Sequence, residues 1–572
     1  MRSVVESVRE HAREQPDGLC SRIVSARDGR LHTAATRTWS EVVHDASRAA
    51  AFLSGRGVAR GDVVVLMGTH HADFHACWLG CAWIGAVPSV LAEPSVRVDR
   101  GVYWSRLKAL LERIDARALL TDPQISVDST WPAERPRFSY EETVASGTPG
   151  MDPLEPQPGD LLLLQHSSGT TGLHKGVMLS HGAVMRHTAS YTRGLALEAN
   201  DVFASWLPLY HDMGLIACFV TPLISRIPLV WLSPFEWVAN PSLLLHAVST
   251  WRATHMWLPN FAYSFLAQRV REPAGSFDLS CLRAIVNCSE PVTAEAMDAF
   301  ASRFSGDGLD PGALHACYAM AETVFAVSAS TGVAPPRRRR VDLRAWQDEH
   351  RARIASPATP ETPSAIHVSN GPVVGGCQVR IGPVEGGAAA LAPGEAGRVW
   401  VKSTFLFDGY FRRPDLNSQL FDAQGYFDTG DLGYLDDDGH VYVTGRLKDL
   451  VIVGGRNVYP HDVEAVINGV DGVHPGRVVV FGVPHRGLAT EGLVALAESD
   501  RPEGQWSEVV RGVRKSVPSL LDLDLLDVRV VAKGTLRKST SGKLARGGNR
   551  DWYLGGRFGP VPGVVGTARR GE

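Results

Sequence analysis

The most informative stretch of this sequence is Leu161–Ser180, LLLLQHSSGTTGLHKGVMLS. Its four leucines predict a buried strand, because a short apolar run bounded by turn residues is typical of one. Gly169 and Gly172 then permit positive φ and close approach of the backbone to a ligand. Hydroxyl and N–H groups in this loop can donate to phosphate oxygens, and Lys175 adds a positive charge. We therefore predict a phosphate-binding loop made of Ser167, Ser168, Gly169, Thr170, Thr171, Gly172 and Lys175.

Two other interpretations of this loop are weaker. It is not a Walker A motif, since no Gly-Lys-Ser/Thr follows its first glycine at the required spacing. An ordinary surface turn of Gly, Ser and Thr rarely carries this many hydroxyls directly before a lysine.

Composition and charge narrow the class of protein. The 572 residues exceed one ordinary domain, and 44% hydrophobic with 21% charged residues is typical of a globular protein. A net charge of −3 implies no general attraction to nucleic acid or to an anionic membrane. Met1–Pro16 lacks the apolar run of a secretory signal, so we expect a cytoplasmic protein.

The cysteines and the apolar stretches exclude further classes. The eight cysteines are scattered with no Cys-x-x-Cys pair, which predicts reduced, mostly buried thiols rather than disulfides or a zinc site. Ala76–Ala92 and Met213–Leu232 are apolar, but glycines or prolines interrupt both. They favour buried helix–strand units over membrane spans.

Predicted strands and helices alternate before the phosphate loop. Thr38–Gly68 predicts a helix, a turn and a strand, and His71–Thr121 continues the alternation. Such alternation indicates an α/β sheet. The Pro- and Glu-rich stretch Trp131–Gly159 is predicted to be a connector.

The string SSGTTGLHKGV resembles the phosphate-binding loop of the adenylate-forming superfamily, which activates carboxylic acids as acyl-adenylates with ATP and Mg²⁺. His174 stands where that family usually has proline. Further motifs follow in the family's order: WLPLYHDMGLI from Trp206, IVNCSEPV from Ile285, HACYAMAET from His315, FDTGDLGY from Phe427 and GTLRKSTSGKLAR from Gly534. The resemblance runs from about Thr38 to Arg546. It implies a large N-terminal α/β domain of sheets flanked by helices, with a small mobile C-terminal α+β domain.

The resemblance also implies site residues. His211 would lie where the substrate carboxylate meets ATP, Glu322 would coordinate Mg²⁺, and Lys543 would bridge the carboxylate and the α-phosphate. A lone glutamate is usually a solvated surface charge, but a glutamate can coordinate Mg²⁺, which takes hard oxygen ligands and keeps phosphates and waters as partners. The remaining ATP-binding residues implied are the adenine turn Ser289, Glu290 and Pro291, the stacking Tyr318, the ribose-binding Asp431 in a Gly-flanked turn, and Arg446.

Domain boundaries follow from the same resemblance. Lys448 falls on the family's hinge, where rotation of a few backbone bonds can swing a domain. We therefore expect an N-terminal domain over residues 1–447 and a mobile domain over 448–553. The Gly- and Arg-rich residues 554–572 are expected to be a disordered tail.

PNFAY from Pro259, together with WLPLYHDMGL, resembles one branch of the superfamily, the fatty acyl-AMP ligases. That branch passes the acyl group to the phosphopantetheine thiol of an acyl carrier protein rather than to coenzyme A. The acyl pocket implied contains Trp257, Asn260, Phe261, Ala319 and Met320.

Residues 332–363 interrupt the family pattern and carry the arginine run Arg337–Arg340. They are expected to form an inserted loop or small module. In the resembled branch, an insertion hinders the rearrangement that admits coenzyme A. The arginine run itself fits either a solvated loop or a docking site for an acidic carrier protein.

Four other functions remain open at this stage. A coenzyme A ligase shares every adenylation residue, although the insertion and PNFAY argue against it. An amino-acid-activating domain would need an acidic residue for the substrate amine, and none is identified. A luciferase-type oxygenase shares the fold without a specific signal here. A non-catalytic relative would be expected to have lost Lys543 or Glu322.

Overall fold

A computed structural model describes the chain except for residues 1, 28–29, 69, 95–99, 126–134, 168–174, 331–333, 357–362, 386–388, 454–455, 486–489, 539–542 and 560–572. The chain divides into two compact units. The first comprises residues 1–337, 370–379 and 401–427, and the second comprises 338–369, 380–400 and 428–572. The mixed α/β architecture predicted from the sequence is confirmed.

A six-stranded sheet in the first unit carries the predicted phosphate loop. Its central strand Val63–Met67 is buried along its whole length, as expected for a strand covered on both faces. The strands are parallel except for the last pair, Leu161–Ser167 with Lys175–Ser180. In spatial order they are Arg137–Ser139, Ala116–Thr121, Val63–Met67, Val87–Leu91, Leu161–Ser167 and Lys175–Ser180.

An eight-stranded sheet in the same unit carries the remaining motifs of that unit. Its interior strands run parallel, and each end closes with an antiparallel pair. Parallel strands end at one edge of a sheet, so the loops that follow them gather there. In spatial order the strands are Ala326–Ala329, Leu314–Ala319, Ala284–Asn287, His255–Leu258, Phe203–Ser205, Leu229–Leu232, Leu19–Arg27 and Arg30–Thr38.

Helices of the first unit begin at residues that suit helix starts. Thr38 and Glu41 form a reciprocal capping box at the helix Trp39–Gly55, and Ser3 and Glu6 form another at Val4–Glu14. The other helices described in this unit are Phe74–Trp83, Arg100–Ile114, Tyr140–Ala145, His181–Gly194, the π-helix Met213–Val220, Thr221–Ser225, Pro234–Ala239, Ser242–Trp251, Asn260–Arg269, Ala294–Phe304 and Pro414–Asn417.

The second unit is built from small sheets and four α-helices among its described residues. Its core packs the helices Pro460–Asn468 and Trp506–Leu521 against a three-stranded sheet. The helices are Leu343–Glu349, Pro460–Asn468, Trp506–Leu521 and Arg546–Leu554. The strand groups that lie wholly or partly in this unit are Arg338–Asp342 with Ser364–Val368; Cys377–Gly382, Gly397–Ser403, Phe427–Leu435 and Val441–Arg446; Val451–Val453 with Arg456–Val458; and Val473–His485, Thr490–Ser499 and Leu525–Ala532.

Three local predictions need correction. The connector predicted over Trp131–Gly159 contains the strand Arg137–Ser139 and the helix Tyr140–Ala145, because Tyr140 is fully buried and Ser139 caps the helix. Asp431 lies within a strand rather than a turn, because Phe427–Leu435 pairs with a neighbouring strand.

The third prediction that needs correction is the disordered tail over residues 554–572. Residues 554–559 are ordered, since Leu554 ends a helix and Phe558 packs on a buried cluster. The rest of that predicted tail lies outside the described residues.

The described part of the stretch predicted to be an insertion, residues 334–356 and 363, is folded. Its strand Arg338–Asp342 pairs with Ser364–Val368, and the helix Leu343–Glu349 lies between them in the chain. Asp342 caps that helix by accepting from the N–H groups of Arg344 and Ala345. Trp346 of that helix is fully buried in a core cluster, so this stretch packs as a module rather than as a solvated loop.

The predictions for thiols and apolar stretches are confirmed where the chain is described. All eight cysteines are free, and six of them are buried. Ala76–Ala92 and Met213–Leu232 form helix–strand units. Among the described residues, the model contains no helix with the length and apolarity that crossing a membrane requires.

Candidate active site

The strand pair around the predicted phosphate loop is well defined, although the loop's centre is not described. Ser167 lies opposite Lys175 across the antiparallel pair. Gln165, on the same strand, donates from Nε2 to the carbonyl of Tyr210 at 3.1 Å. This bond ties the phosphate-loop strand to the segment that carries His211. Predicted loop residues outside the described part of the chain are Ser168, Gly169, Thr170, Thr171 and Gly172.

Glu322 lies in a short 3₁₀ turn directly after the strand Leu314–Ala319. Its Oε1 accepts a hydrogen bond of 2.8 Å from the hydroxyl of Tyr410, and its backbone carbonyl accepts from the N–H of Phe407 at 2.9 Å. Burial, together with the Glu322 carboxylate, raises the pKa of Tyr410 far above its usual value. The phenol therefore stays protonated and remains a donor to this carboxylate.

Tyr410 also contacts the lysine of the phosphate loop. The Lys175 Nζ lies 4.7 Å from the centroid of the Tyr410 ring, within range of a cation–π contact. The Lys175 cation, the Tyr410 ring and the Glu322 carboxylate are therefore neighbours in that order. Sequence reasoning missed Tyr410, because 88 positions separate it from Glu322 and no spacing rule connects them.

The predicted adenine turn is tied to the predicted acyl pocket. Asn260 Oδ1 accepts from Asn287 Nδ2 at 2.9 Å and from the N–H of Thr293 at 3.1 Å. Between those partners, Ser289 adopts a φ of 70°, a left-handed conformation that non-glycine residues rarely take. The amide of Asn260 therefore holds both ends of a sharp turn, and Pro291 lies within it.

Glu290 has a structural role that the sequence did not suggest. Its Oε2 accepts from the N–H of Phe261 at 2.9 Å, in the first turn of the helix Asn260–Arg269. A carboxylate there satisfies an otherwise unpaired helix donor and complements the helix dipole. Glu290 thus fixes the helix that carries Phe261, and the adenine turn would contact a nucleotide through its other groups.

His211 follows a short loop after the strand Phe203–Ser205 and lies immediately before the π-helix Met213–Val220. Asp212 caps that helix by accepting from the N–H of Met213 at 2.8 Å. π-Helical turns are rare and frequently occur at functional sites. His211 is half-buried beside the ring of Tyr210, 4.7 Å between centroids.

The residues predicted for the acyl pocket separate into two groups. Trp257 is fully buried, and its Nε1 donates to the hydroxyl of Tyr191 at 2.8 Å. It therefore belongs to the core beneath the sheet. Phe261, in contrast, is half-buried, as are Ala319 and Met320.

An aromatic wall that the sequence did not indicate adjoins Phe261. Trp206 and Trp237 stack in parallel with centroids 3.6 Å apart, and each lies 6.3 Å from the Phe261 ring. Trp206 begins the WLPLYHDMGLI string, whereas Trp237 comes from the helix Pro234–Ala239. Stacked indoles fill space rigidly, so this wall bounds the region beside Phe261.

Tyr318 lies on the strand Leu314–Ala319 with 7% of its surface exposed. Little of its ring is accessible for the predicted stacking on adenine.

The second unit carries the remaining predicted residues. Asp431 and Arg446 lie opposite each other on antiparallel strands, with 3.1 Å between Oδ1 and Nε. Lys448 lies in the 3₁₀ turn Leu447–Asp449. Lys543 is half-buried and precedes Leu544, which bridges to Lys538.

The chain belongs to the AMP-binding enzyme family, whose model matches residues 8–411. It is 30% identical over 538 residues to a medium-chain-fatty-acid–acyl-carrier-protein ligase of Moorena producens, covering 89% of this chain and 88% of that one. It is 29% identical over 601 residues to a long-chain-fatty-acid–AMP ligase of Mycobacterium bovis, covering 95% and 96%.

A solved structure from work on the fatty acyl-adenylate ligases of E. coli and L. pneumophila matches with a TM-score of 0.87. It is 25% identical and covers 97% of this chain and 98% of that one. The chain is therefore an adenylate-forming ligase that activates a carboxylic acid, and it is similar to fatty acyl-AMP ligases.

Proposed function

We propose that this ligase transfers the activated acyl group to the phosphopantetheine thiol of an acyl carrier protein. A carboxylate oxygen of the acid attacks the α-phosphorus of ATP, and the bond to pyrophosphate breaks. The carrier's thiol then attacks the acyl carbon, loses its proton, and AMP leaves. The second step regenerates the free enzyme.

The residues take the following roles in the first step. Lys543 bridges the substrate carboxylate and the α-phosphate as negative charge shifts toward pyrophosphate. Lys175 and its loop hold the other phosphates, and His211 lies at the junction of acid and nucleotide. Asp431 and Arg446 hold the ribose side of the nucleotide.

Glu322 is the proposed magnesium ligand. The described residues contain no cluster of three His, Cys, Asp or Glu side chains that could cage a metal. A single carboxylate fits Mg²⁺, which is usually held by one or two carboxylates with phosphate oxygens and waters. When bound, the ion would neutralise charge on the triphosphate. Tyr410 would orient the carboxylate by holding Oε1, so Tyr410 is a positioning residue.

The observation that carries the choice of acceptor is the position of Trp346. Its ring lies 5.8 Å from that of Tyr434, before the proposed hinge Lys448, and 5.2 Å from that of Tyr459, after it. Its Nε1 also donates to Oδ2 of Asp462 at 3.1 Å. Burial raises the pKa of Asp462 to about 6, so the carboxylate accepts this bond as an anion at neutral pH.

The module that carries Trp346 therefore contacts chain on both sides of the hinge. Rotation about Lys448 would have to separate Tyr434 from Tyr459 and break these contacts. That cost opposes the rearrangement that coenzyme A needs. A carrier protein can offset the cost through contacts that free coenzyme A does not make.

The aromatic wall of Trp206 and Trp237 supports an acid of limited length. Pyrophosphate exchange over straight-chain, branched and aryl acids would identify the substrate.

The acceptor is tested with the preferred acid and equal concentrations of coenzyme A and a holo-carrier. We expect acyl-AMP to persist with coenzyme A and to be consumed by the carrier. The variant Trp346→Leu should gain acyl-coenzyme A synthesis while retaining exchange activity. Efficient acyl-coenzyme A synthesis by the intact protein would refute the proposal.

A further inference from the structure

The folded insertion has an outward face that combines charge with apolar surface. On its two-stranded sheet, Arg340 lies opposite Ile366, and Arg338 lies two residues away on the same face. Both arginines are exposed, and Ile366 is 49% exposed. Arg340 Nε donates to Ser364 Oγ at 2.7 Å, which directs its stem along this face.

A second exposed isoleucine adjoins the same strand. Ile354 is 54% exposed and forms a β-bridge with Val341, and the next residue donates its N–H to the carbonyl of Arg340 at 2.8 Å. Residues joined by a β-bridge share a face of the sheet, so Ile354 lies on the side of Val341 and not beside the arginines. Arg338, Arg340 and Ile366 share the outward face, which we call the basic–apolar face.

The opposite side of this sheet is firmly held. Arg339 points inward, with 3.3 Å between its Nη2 and Oδ2 of the buried Asp436. Val341 is fully buried, and the ring of His367 lies 4.8 Å from that of Trp346. Strand alternation thus turns Arg339 inward and leaves Arg338 and Arg340 facing outward. The outward face is presented on a fixed support.

We propose that the basic–apolar face is the docking surface for the carrier protein, an inference that rests on the proposed function above. The partner that fits is an acidic surface whose carboxylates flank an aliphatic or methionine side chain. Opposite charges accelerate and orient encounter, and apolar side chains at the centre of a contact supply much of its affinity.

This location also connects docking to the hinge. The face and Trp346 belong to one module, so a partner bound to the face acts on the element that spans Lys448. Free coenzyme A, although anionic, has no protein surface with which to cover Ile366. The partner's surface, rather than the thiol alone, thus determines which acceptor is used.

The charge on the face is tested with Arg338→Glu/Arg340→Glu. We expect about a tenfold rise in KM for an acidic holo-carrier, because reversing two surface charges replaces attraction by repulsion. Pyrophosphate exchange should be unchanged. The parent's KM should rise with salt, and the variant's should not. The matched control is Arg511→Glu/Lys515→Glu, which reverses two exposed charges on the helix Trp506–Leu521 of the same unit.

The apolar part of the face is tested with Ile366→Asp against Leu520→Asp, since Leu520 is 46% exposed on that same control helix. The Ile366 variant should lose carrier transfer, and the control should not. A carrier lacking phosphopantetheine should inhibit transfer by the parent protein and, to the same extent, transfer by the Leu520→Asp control.

The outcomes separate the two proposals. If the parent protein makes acyl-AMP but loads no carrier, the proposed acceptor is wrong. If it loads the carrier and the face variants keep the parent's KM, or if the controls lose as much, the docking surface is wrong. If anionic phospholipid vesicles or RNA bound to this face as well as the carrier does, the face would be reassigned to a general polyanion contact.

Discussion

Two carboxylates predicted to serve ATP binding, Glu322 in the first unit and Asp431 in the second, are held by opposite means. Asp431 is paired with Arg446 on the adjacent strand of a local antiparallel pair, with 3.1 Å between Oδ1 and Nε. Glu322 receives its 2.8 Å hydrogen bond from Tyr410, which lies 88 residues further along the chain. The geometry of Asp431 is therefore local, whereas that of Glu322 depends on the folding of the whole first unit.

The largest expected effect comes from the second unit, at Lys543. Lys543→Ala should reduce acyl-adenylate formation by about 10² or more, as loss of one preorganised charge typically does. Thiol transfer from supplied acyl-adenylate should survive, because the lysine acts only in the first step. Single-turnover measurement of both half-reactions tests this. Lys538→Ala in the same segment is the control, and near-parental adenylation by Lys543→Ala would remove the residue from the mechanism.

The difference between the Glu322 and Asp431 carboxylates is tested by exchanging each for its amide. Glu322→Gln should slow adenylation by about tenfold or more and raise its Mg²⁺ requirement, because an amide is a poorer ligand for a hard cation. Asp431→Asn should raise the apparent KM for ATP by about tenfold and leave the Mg²⁺ profile unchanged. Titrating Mg²⁺ and ATP separately distinguishes the two. The exposed Asp437→Asn serves as control, and identical profiles for both variants would abolish the distinction.

The smallest expected effect concerns the long-range partner, Tyr410. Tyr410→Phe should raise the Mg²⁺ concentration for half-maximal exchange several-fold, because the carboxylate loses the donor that orients it. The apparent KM for ATP at saturating Mg²⁺ should change less. Tyr426→Phe removes a hydroxyl bonded to Gln378 in the same unit and is the matched control. An unchanged Mg²⁺ profile with lowered thermal stability would assign Tyr410 a structural role only.

Local sequence patterns correctly predicted strands and helices whose formation depends on neighbouring residues. The leucine run became the strand Leu161–Ser167, and the apolar run before Gly68 became Val63–Met67. The helix predicted at the start of Thr38–Gly68 became Trp39–Gly55, which Thr38 and Glu41 cap. These features need only side-chain periodicity and short-range hydrogen bonds, so they are present in the sequence itself.

Contacts between distant segments were not predictable in the same way. Trp257, which was predicted to line the acyl pocket, is fully buried and donates to Tyr191, and Trp206 and Trp237 form the wall near Phe261. Which face of a strand or helix a large side chain fills depends on what packs against it. Periodicity alone does not identify that partner.

The sequence by itself determined the order of the motifs, the α/β class and the chemical types available: a glycine- and hydroxyl-rich loop, one magnesium-type carboxylate and a lysine near the end. Tertiary structure alone decided that Tyr410 orients Glu322, that Glu290 serves a helix end, and that Arg339 turns inward between the outward-facing Arg338 and Arg340. Short-range bonds are encoded where they form. Long-range contacts exist only once separate segments have packed, because burial and alignment then select one partner among many.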